Sequence, residues 1–220
     1  MVSTSVQDPV LLARLAGHLL VPVVVIDDVG TADSLGDALV AGGLPVAEVT
    51  FRTTAGVESL RRLAARGDLL VGAGTVLTPA QVDQAVAAGA QYIVSPGLSR
   101  AVVERCLEHR VLPLPGAVTA TEVQAALELG LTTVKFFPAE SSGGAAAVRA
   151  LAAPFTDLGF MPTGGIGPDN LADYLALPAV RAVGGSWMVP RDALGDTPRI
   201  TDLVESAVRL ATALRPLAAE

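Results

Sequence analysis

One lysine stands alone in this chain. Of its 15 Lys and Arg residues, 14 are arginine, and the exception is Lys135. It lies in Thr132-Thr133-Val134-Lys135-Phe136-Phe137, a β-branched and aromatic stretch that reads as a strand. Apolar surroundings favour the neutral form of an amine, and the neutral form adds to a carbonyl to give an imine. A guanidinium keeps its proton and cannot do this. The residue type therefore points to imine chemistry. The competing reading is a lysine that extends its head to water or pairs with an acid such as Glu48 or Glu140.

A second constellation is Glu48 with Arg52, in Val46-Ala47-Glu48-Val49-Thr50-Phe51-Arg52-Thr53. Side chains alternate along a strand, so both fall on one face. A carboxylate set among apolar residues but near a cation is balanced to act as general base and then acid. An arginine further along that face suits two-pronged binding of a substrate carboxylate. The plainer alternative is an internal Glu–Arg pair that only stabilises the fold.

Glycine-rich segments follow three expected strands: Gly72-Ala73-Gly74-Thr75, Pro162-Thr163-Gly164-Gly165-Ile166-Gly167 and Gly184-Gly185-Ser186-Trp187. Glycine lets backbone N–H groups approach a phosphate closely. With 22 glycines in the chain, each segment taken singly is equally well an ordinary turn.

Other chemistries find little support. The two histidines, His18 and His109, fall near separate helix ends and make no metal-ligand set. Cys106 is the one cysteine, so no internal disulfide forms, and it reads as a structural residue of a reducing compartment. The net charge of −7 and the lack of a Lys/Arg block argue against nucleic acid. The hydrophobic content is 51% and the mean hydropathy +0.53, which suits buried strands. The apolar run 19–26 is broken by Pro22 and ends at Asp27-Asp28, well short of a membrane span. A cytoplasmic protein without a signal segment is the expectation.

The elements that must position these residues recur in one pattern. A short β-branched run is followed by Gly, Thr, Ser or Pro, and then by an Ala/Leu-rich helical segment. Strands are expected at 20–26, 46–50, 69–72, 92–95, 111–114, 133–137, 159–163 and 181–184. Helices are expected at 32–41, 56–66, 79–88, 100–110, 121–129 and 144–152. A further helix over 8–15 precedes the first strand, and 195–213 holds a loop and the last helix. Thr78-Pro79 and Thr121 supply helix starts, and Gly89 and Gly130 supply stops. Such alternation predicts an α/β fold: a single (β/α)8 TIM barrel over residues 1–220 with an extra N-terminal helix, an open doubly wound sheet being the runner-up. In such a barrel the chemistry sits at the C-terminal ends of the strands.

Six segments, in order, resemble the 2-keto-3-deoxy-6-phosphogluconate (KDPG) and 4-hydroxy-2-oxoglutarate (KHG) aldolase family. They are Ala41-Gly42-Gly43 with Glu48-Val49-Thr50 and Arg52-Thr53; Val71 to Leu77; Ser95-Pro96-Gly97; Lys135-Phe136-Phe137-Pro138-Ala139-Glu140; Pro162 to Ile166; and Gly184-Gly185-Ser186-Trp187. The resemblance runs from Val21 to about Leu194. It implies a class I aldolase, with Lys135 as the Schiff-base lysine and Glu48 as the general acid/base. It implies that Arg52 and Thr75 hold the pyruvate portion, with Pro96 and Phe137 packed around it. Gly164, Gly165, Gly184, Gly185 and Ser186 correspond to the family's phosphate site. Neither metal nor cofactor is implied. The implied ligands are pyruvate and a phosphorylated 2-keto acid, and the implied assembly is a homotrimer. Cleavage of KHG or of 2-keto-3-deoxy-6-phosphogalactonate stays open as an alternative, as does a phosphate-binding barrel isomerase or synthase.

Overall fold

A computed structural model describes residues 6–214 of the chain. Strand and helix alternate along it. The first part runs α1 (Pro9–His18), β1 (Leu20–Val24), α2 (Ala32–Ala41), β2 (Val46–Thr50), α3 (Gly56–Ala65), β3 (Leu70–Gly74) and α4 (Pro79–Ala87). It continues with β4 (Tyr92–Val94), α5 (Arg100–Glu108), β5 (Leu112–Leu114), α6 (Ala120–Glu128), β6 (Thr133–Phe136) and α7 (Gly144–Ala152). The last elements are β7 (Gly159–Pro162), α8 (Leu171–Leu175), β8 (Val183–Gly185) and α9 (Thr197–Leu214).

Every residue of every strand is buried. That is the signature of parallel strands covered on both faces, and it explains why they read as continuous apolar runs. The fold is α/β, with a curled parallel sheet of six strands in the order β5-β4-β3-β2-β1-β8. β6 and β7 pair parallel with each other.

Both seams between this pair and the sheet carry hydrogen bonds. At the first, Lys135 N–H donates to Pro115 O at 2.9 Å and Ala117 N–H to Lys135 O at 2.8 Å. Lower on the same seam, the Gln7 amide stands in for a missing ladder. Its Nε2 donates to Pro113 O (2.7 Å) and Thr133 O (2.9 Å), and its Oε1 accepts from the N–H groups of Thr132 and Thr133. At the other seam Thr163 bridges to Gly184 and Phe160 to Val180.

Most expected elements lie within a residue or two of their places; 32–41, 46–50 and 144–152 coincide with α2, β2 and α7. The first helix is longer than expected, with Asp8 as its cap and Pro9 inside it. The start expected at Thr121 shifts: Thr119 is the N-cap, in a capping box with Glu122. The Thr78-Pro79 start holds, with Thr78 Oγ1 accepting from Gln81 N–H. The short α8 had no counterpart in the sequence reading, since a single turn carries too little periodicity to detect.

Candidate active site

Lys135 sits on β6 and is 3% exposed; Glu48 sits on β2 and is 0% exposed. Lys135 Nζ donates to Glu48 Oε1 at 3.2 Å, so the one lysine faces the carboxylate that, among the described residues, is wholly buried. Of the two acids open as partners, the structure selects Glu48. Glu140 instead accepts from the Tyr174 hydroxyl in the loop after β6. On its other side Lys135 Nζ lies 5.1 Å from the centroid of the Phe137 ring, within cation–π range.

Glycines on β3 make room for this pair. A Cβ on Gly74 would fall 2.3 Å from Glu48 Oε1, and one on Gly72 would fall 2.2 Å from Cε2 of the Tyr92 ring. The Tyr92 hydroxyl donates to Ala47 O at 2.7 Å. Burial, with the Glu48 charge nearby, pushes that hydroxyl well above the ordinary phenol range, so Tyr92 stays a neutral donor. The glycines of the first segment therefore fit side chains rather than an anion.

Arg52 and Thr75 follow β2 and β3, which are neighbours in the sheet. Arg52 Nε donates to Thr75 Oγ1 at 3.0 Å. Thr75 holds φ at 59°, a conformation that a β-branched residue rarely adopts. The strain places its hydroxyl on the arginine. Arg52 thus engages Thr75, and Glu48 engages Lys135: the internal Glu48–Arg52 pair considered above is not formed.

A cavity of about 440 Å³ opens beside these residues, with Arg52, Phe137, Gly164, Gly165, Gly185 and Ser186 on its wall. Phe137 belongs both to that wall and to the surroundings of the Lys135 amine. Gly164 and Gly165 have φ of 105° and 77°, a turn that glycine makes at no steric cost. The turn is pinned by Asn170, whose Nδ2 donates to Gly165 O at 3.1 Å.

Gly184 does not lie on the wall. A Cβ there would meet Thr163 Oγ1 at 2.4 Å, and one on Gly185 would strike the Trp187 ring at 1.7 Å. Close packing alone thus accounts for glycine at 184 and 185. Pro96, just past β4, is half-buried and packs its carbonyl on Gly116, the backbone that bridges to Lys135.

The remaining candidates play no part here. Cys106 is buried, and burial pushes its thiol up to about 12, so it has little thiolate character. His109 pairs with the Asp83 carboxylate at 2.6 Å on the helical layer. Among the described residues no group of three or more His, Cys, Asp and Glu side chains stands ready to hold a metal, and no helix is long and apolar enough to cross a membrane. Sequence reading passed over Tyr92, Gln7 and Gly116. Only the Gly72–Tyr92 register, invisible before pairing is known, could have pointed to the first.

A lysine amine against a buried carboxylate on parallel strands, with Arg52 and Thr75 just past the C-terminal ends of β2 and β3 and a cavity beside them, is a site suited to enzymes that work on carbonyl carbon. The chain belongs to the KDPG and KHG aldolase family, whose model matches residues 12–203. It is 48% identical over 194 residues to the 2-dehydro-3-deoxy-phosphogluconate aldolase of Treponema pallidum (strain Nichols), covering 87% of this chain and 92% of the relative. It is 46% identical over 192 residues to the KHG/KDPG aldolase of Escherichia coli (strain K12), covering 86% and 90%. Among solved structures, KDPG aldolase from Legionella pneumophila, with pyruvate captured at low pH as a covalent carbinolamine intermediate, superposes with a TM-score of 0.86. It is 39% identical, over 89% of this chain and 97% of that one.

Proposed function

We propose that this chain is a class I aldolase that cleaves KDPG to pyruvate and glyceraldehyde 3-phosphate, with Lys135 as the Schiff-base lysine. The observation that carries the proposal is the buried contact between Lys135 Nζ and Glu48 Oε1. The carbinolamine in the Legionella relative is the adduct an amine forms on the way to an imine.

The Lys135 amine adds to the C2 ketone. Loss of water, with Glu48 relaying protons, leaves an iminium. Glu48 then takes the proton of the C4 hydroxyl, the C3–C4 bond breaks, and its electron pair moves onto the iminium to give an enamine. Glyceraldehyde 3-phosphate leaves. Glu48 returns its proton to C3, and water hydrolyses the resulting pyruvyl imine to free the lysine. A carboxylate in contact with the amine can serve both halves of this cycle. Arg52, held by Thr75, binds the substrate carboxylate in two-pronged fashion. Phe137 and Pro96 pack around the pyruvate methyl and keep bulk water off the imine. At the far end of the cavity Gly164, Gly165, Gly185 and Ser186 take the phosphate, and Gly184 shapes the strand beneath them.

The same reading extends to the whole molecule. All eight strands close into one (β/α)8 barrel, supported by the bonded seams at Gly116–Lys135 and Thr163–Gly184, and α1 stands outside the eightfold repeat. One domain spans the chain, whose residues 1–5 and 215–220 lie outside those described. A homotrimer working in the cytoplasm, in the Entner–Doudoroff route of sugar-acid breakdown, completes the proposal. Mass photometry tests the trimer.

The activity is tested by pyruvate release from KDPG, from its galacto epimer and from KHG, each measured against the others. Two or three charge-assisted bonds to phosphate, partly offset by its desolvation, contribute roughly 4 kcal/mol, so KDPG is expected to lead KHG by on the order of 10³ in kcat/KM. Release from none of the three would refute the aldolase reading, and equal kcat/KM for KDPG and KHG would remove the phosphate preference from it.

A further inference from the structure

Two cations, Arg52 and Arg191, lie on the cavity wall. Arg52 is held by Thr75 and follows β2, the strand that carries Glu48. Arg191 follows β8 and is two strands away in the order β8-β1-β2. It does not stand free: its Nε donates to Asp27 Oδ2 and its Nη2 to Asp27 Oδ1, each at 2.5 Å. Asp27 follows β1, the strand paired with β8 through Val21–Gly184 and Pro22–Gly185. The contact spans 164 residues of sequence, yet both side chains are about half exposed or more, at 64% for Arg191 and 49% for Asp27.

We infer that Arg191 is the cation that takes the far anionic group of the substrate, and that Asp27 is a built-in rival which the incoming anion must displace. This rests on the aldolase reading of the cavity. The glycine N–H groups and the Ser186 hydroxyl are neutral donors, so a phosphate dianion there lacks a countercharge without Arg191. An exposed ion pair is held weakly and opens at little cost. Asp27 engages two of the five guanidinium N–H groups, the same fork that an incoming oxyanion takes over once Asp27 is displaced. The Asp27 carboxylate, left beside a bound dianion, repels it. Asp27 thus lowers affinity for any small anion and reserves Arg191 for ligands that the rest of the cavity also binds. Arg191 is in this sense a specificity-determining residue, and Asp27 tempers it.

The test is the affinity for inorganic phosphate, read by calorimetry and by the fluorescence of Trp187, the chain's one tryptophan, which lies on the same wall. Wild type, Arg191→Gln, Arg191→Lys and Asp27→Asn are compared, with melting temperatures to confirm folding. Arg191→Gln is expected to weaken phosphate about tenfold, the equivalent of about 1.4 kcal/mol, with Arg191→Lys between it and wild type. Asp27→Asn is expected to tighten phosphate severalfold. The KM for the phosphorylated substrate should move with these affinities while kcat moves little. Wild-type phosphate affinity in Arg191→Gln, weaker binding in Asp27→Asn, or no phosphate binding by the wild type would each overturn the inference. Failure of pyruvate to form an imine on Lys135, with the phosphate shifts present, would instead remove the aldolase reading and leave the anion site standing.

Discussion

Lys135 Nζ stands 3.2 Å from Glu48 Oε1 although 87 residues separate the two in the chain. The strands that carry them are not neighbours: β6 pairs with β7, and β2 sits between β1 and β3. The contact crosses the interior, which only a curled sheet permits. Both side chains leave water to make it, so neither charge is cheap to hold alone. Substitution of either partner must therefore be read for stability as well as for rate.

Glu48→Gln keeps a polar group against Lys135 but removes the proton acceptor. Turnover of KDPG should fall by roughly 10²–10⁴, the usual contribution of general acid–base help, while pyruvate still forms an imine. Single-turnover cleavage and imine trapping on the same preparation separate the two steps. Wild-type turnover in a folded Glu48→Gln protein would assign the carboxylate to structure.

Gly74→Ala touches no substrate. Its Cβ would lie 2.3 Å from Glu48 Oε1 and 2.6 Å from Glu48 Cγ, so the carboxylate must move. Overpacking of this kind costs about 1–3 kcal/mol of stability. A displacement near 1 Å at a reacting group costs about 10² in rate. Thermal denaturation and kcat are the measurements; a variant unchanged in both would mean that Glu48 has more freedom than its packing suggests.

Much of this was legible in the sequence, for physical reasons that differ by residue. Lys135 was conspicuous because the chain uses arginine wherever charge alone will serve. Strand 46–50 was legible because it is bounded by turn residues and buried on both faces. What could not be read was contact. Glu48 and Arg52 share a strand face, which left an internal pair between them open; the structure gives each a different partner, because the curled sheet brings Lys135 across the interior to Glu48, while Thr75, just past the neighbouring β3, lies within reach of Arg52. The glycines show the converse limit. Glycine segments at adjacent strand ends pointed to an anion site at Gly184 and Gly185, but the packing of Thr163 and Trp187, which also requires glycine there, was not visible in the sequence. Gln7, a polar residue near the start of the chain, gave no sign that it would bond across β5 and β6.

Stability should depend on pH through His18, the last residue of α1. Partial burial, together with the Arg14 charge, lowers its pKa from the usual value of about 6.5. The folded protein therefore holds a neutral imidazole where the unfolded chain already takes up a proton. With more protons bound in the unfolded state, stability falls as pH drops below about 6.5 toward the lowered folded value, and is unaffected by this group above it. Melting curves at pH 7.5 and 5.5 should show a larger loss in wild type than in His18→Gln. Parallel losses would assign the acid sensitivity to other groups.

The central claim is that Lys135 forms an imine with pyruvate, and borohydride reduction tests it most directly. Apart from the N-terminal amine, Lys135 carries the only primary amine that the chain offers. Protein treated with pyruvate and borohydride, then digested and analysed by mass spectrometry, should carry one reduced pyruvyl group on the peptide containing Lys135, with activity lost in proportion to labelling. An unmodified Lys135 peptide in protein that cleaves KDPG would contradict the account.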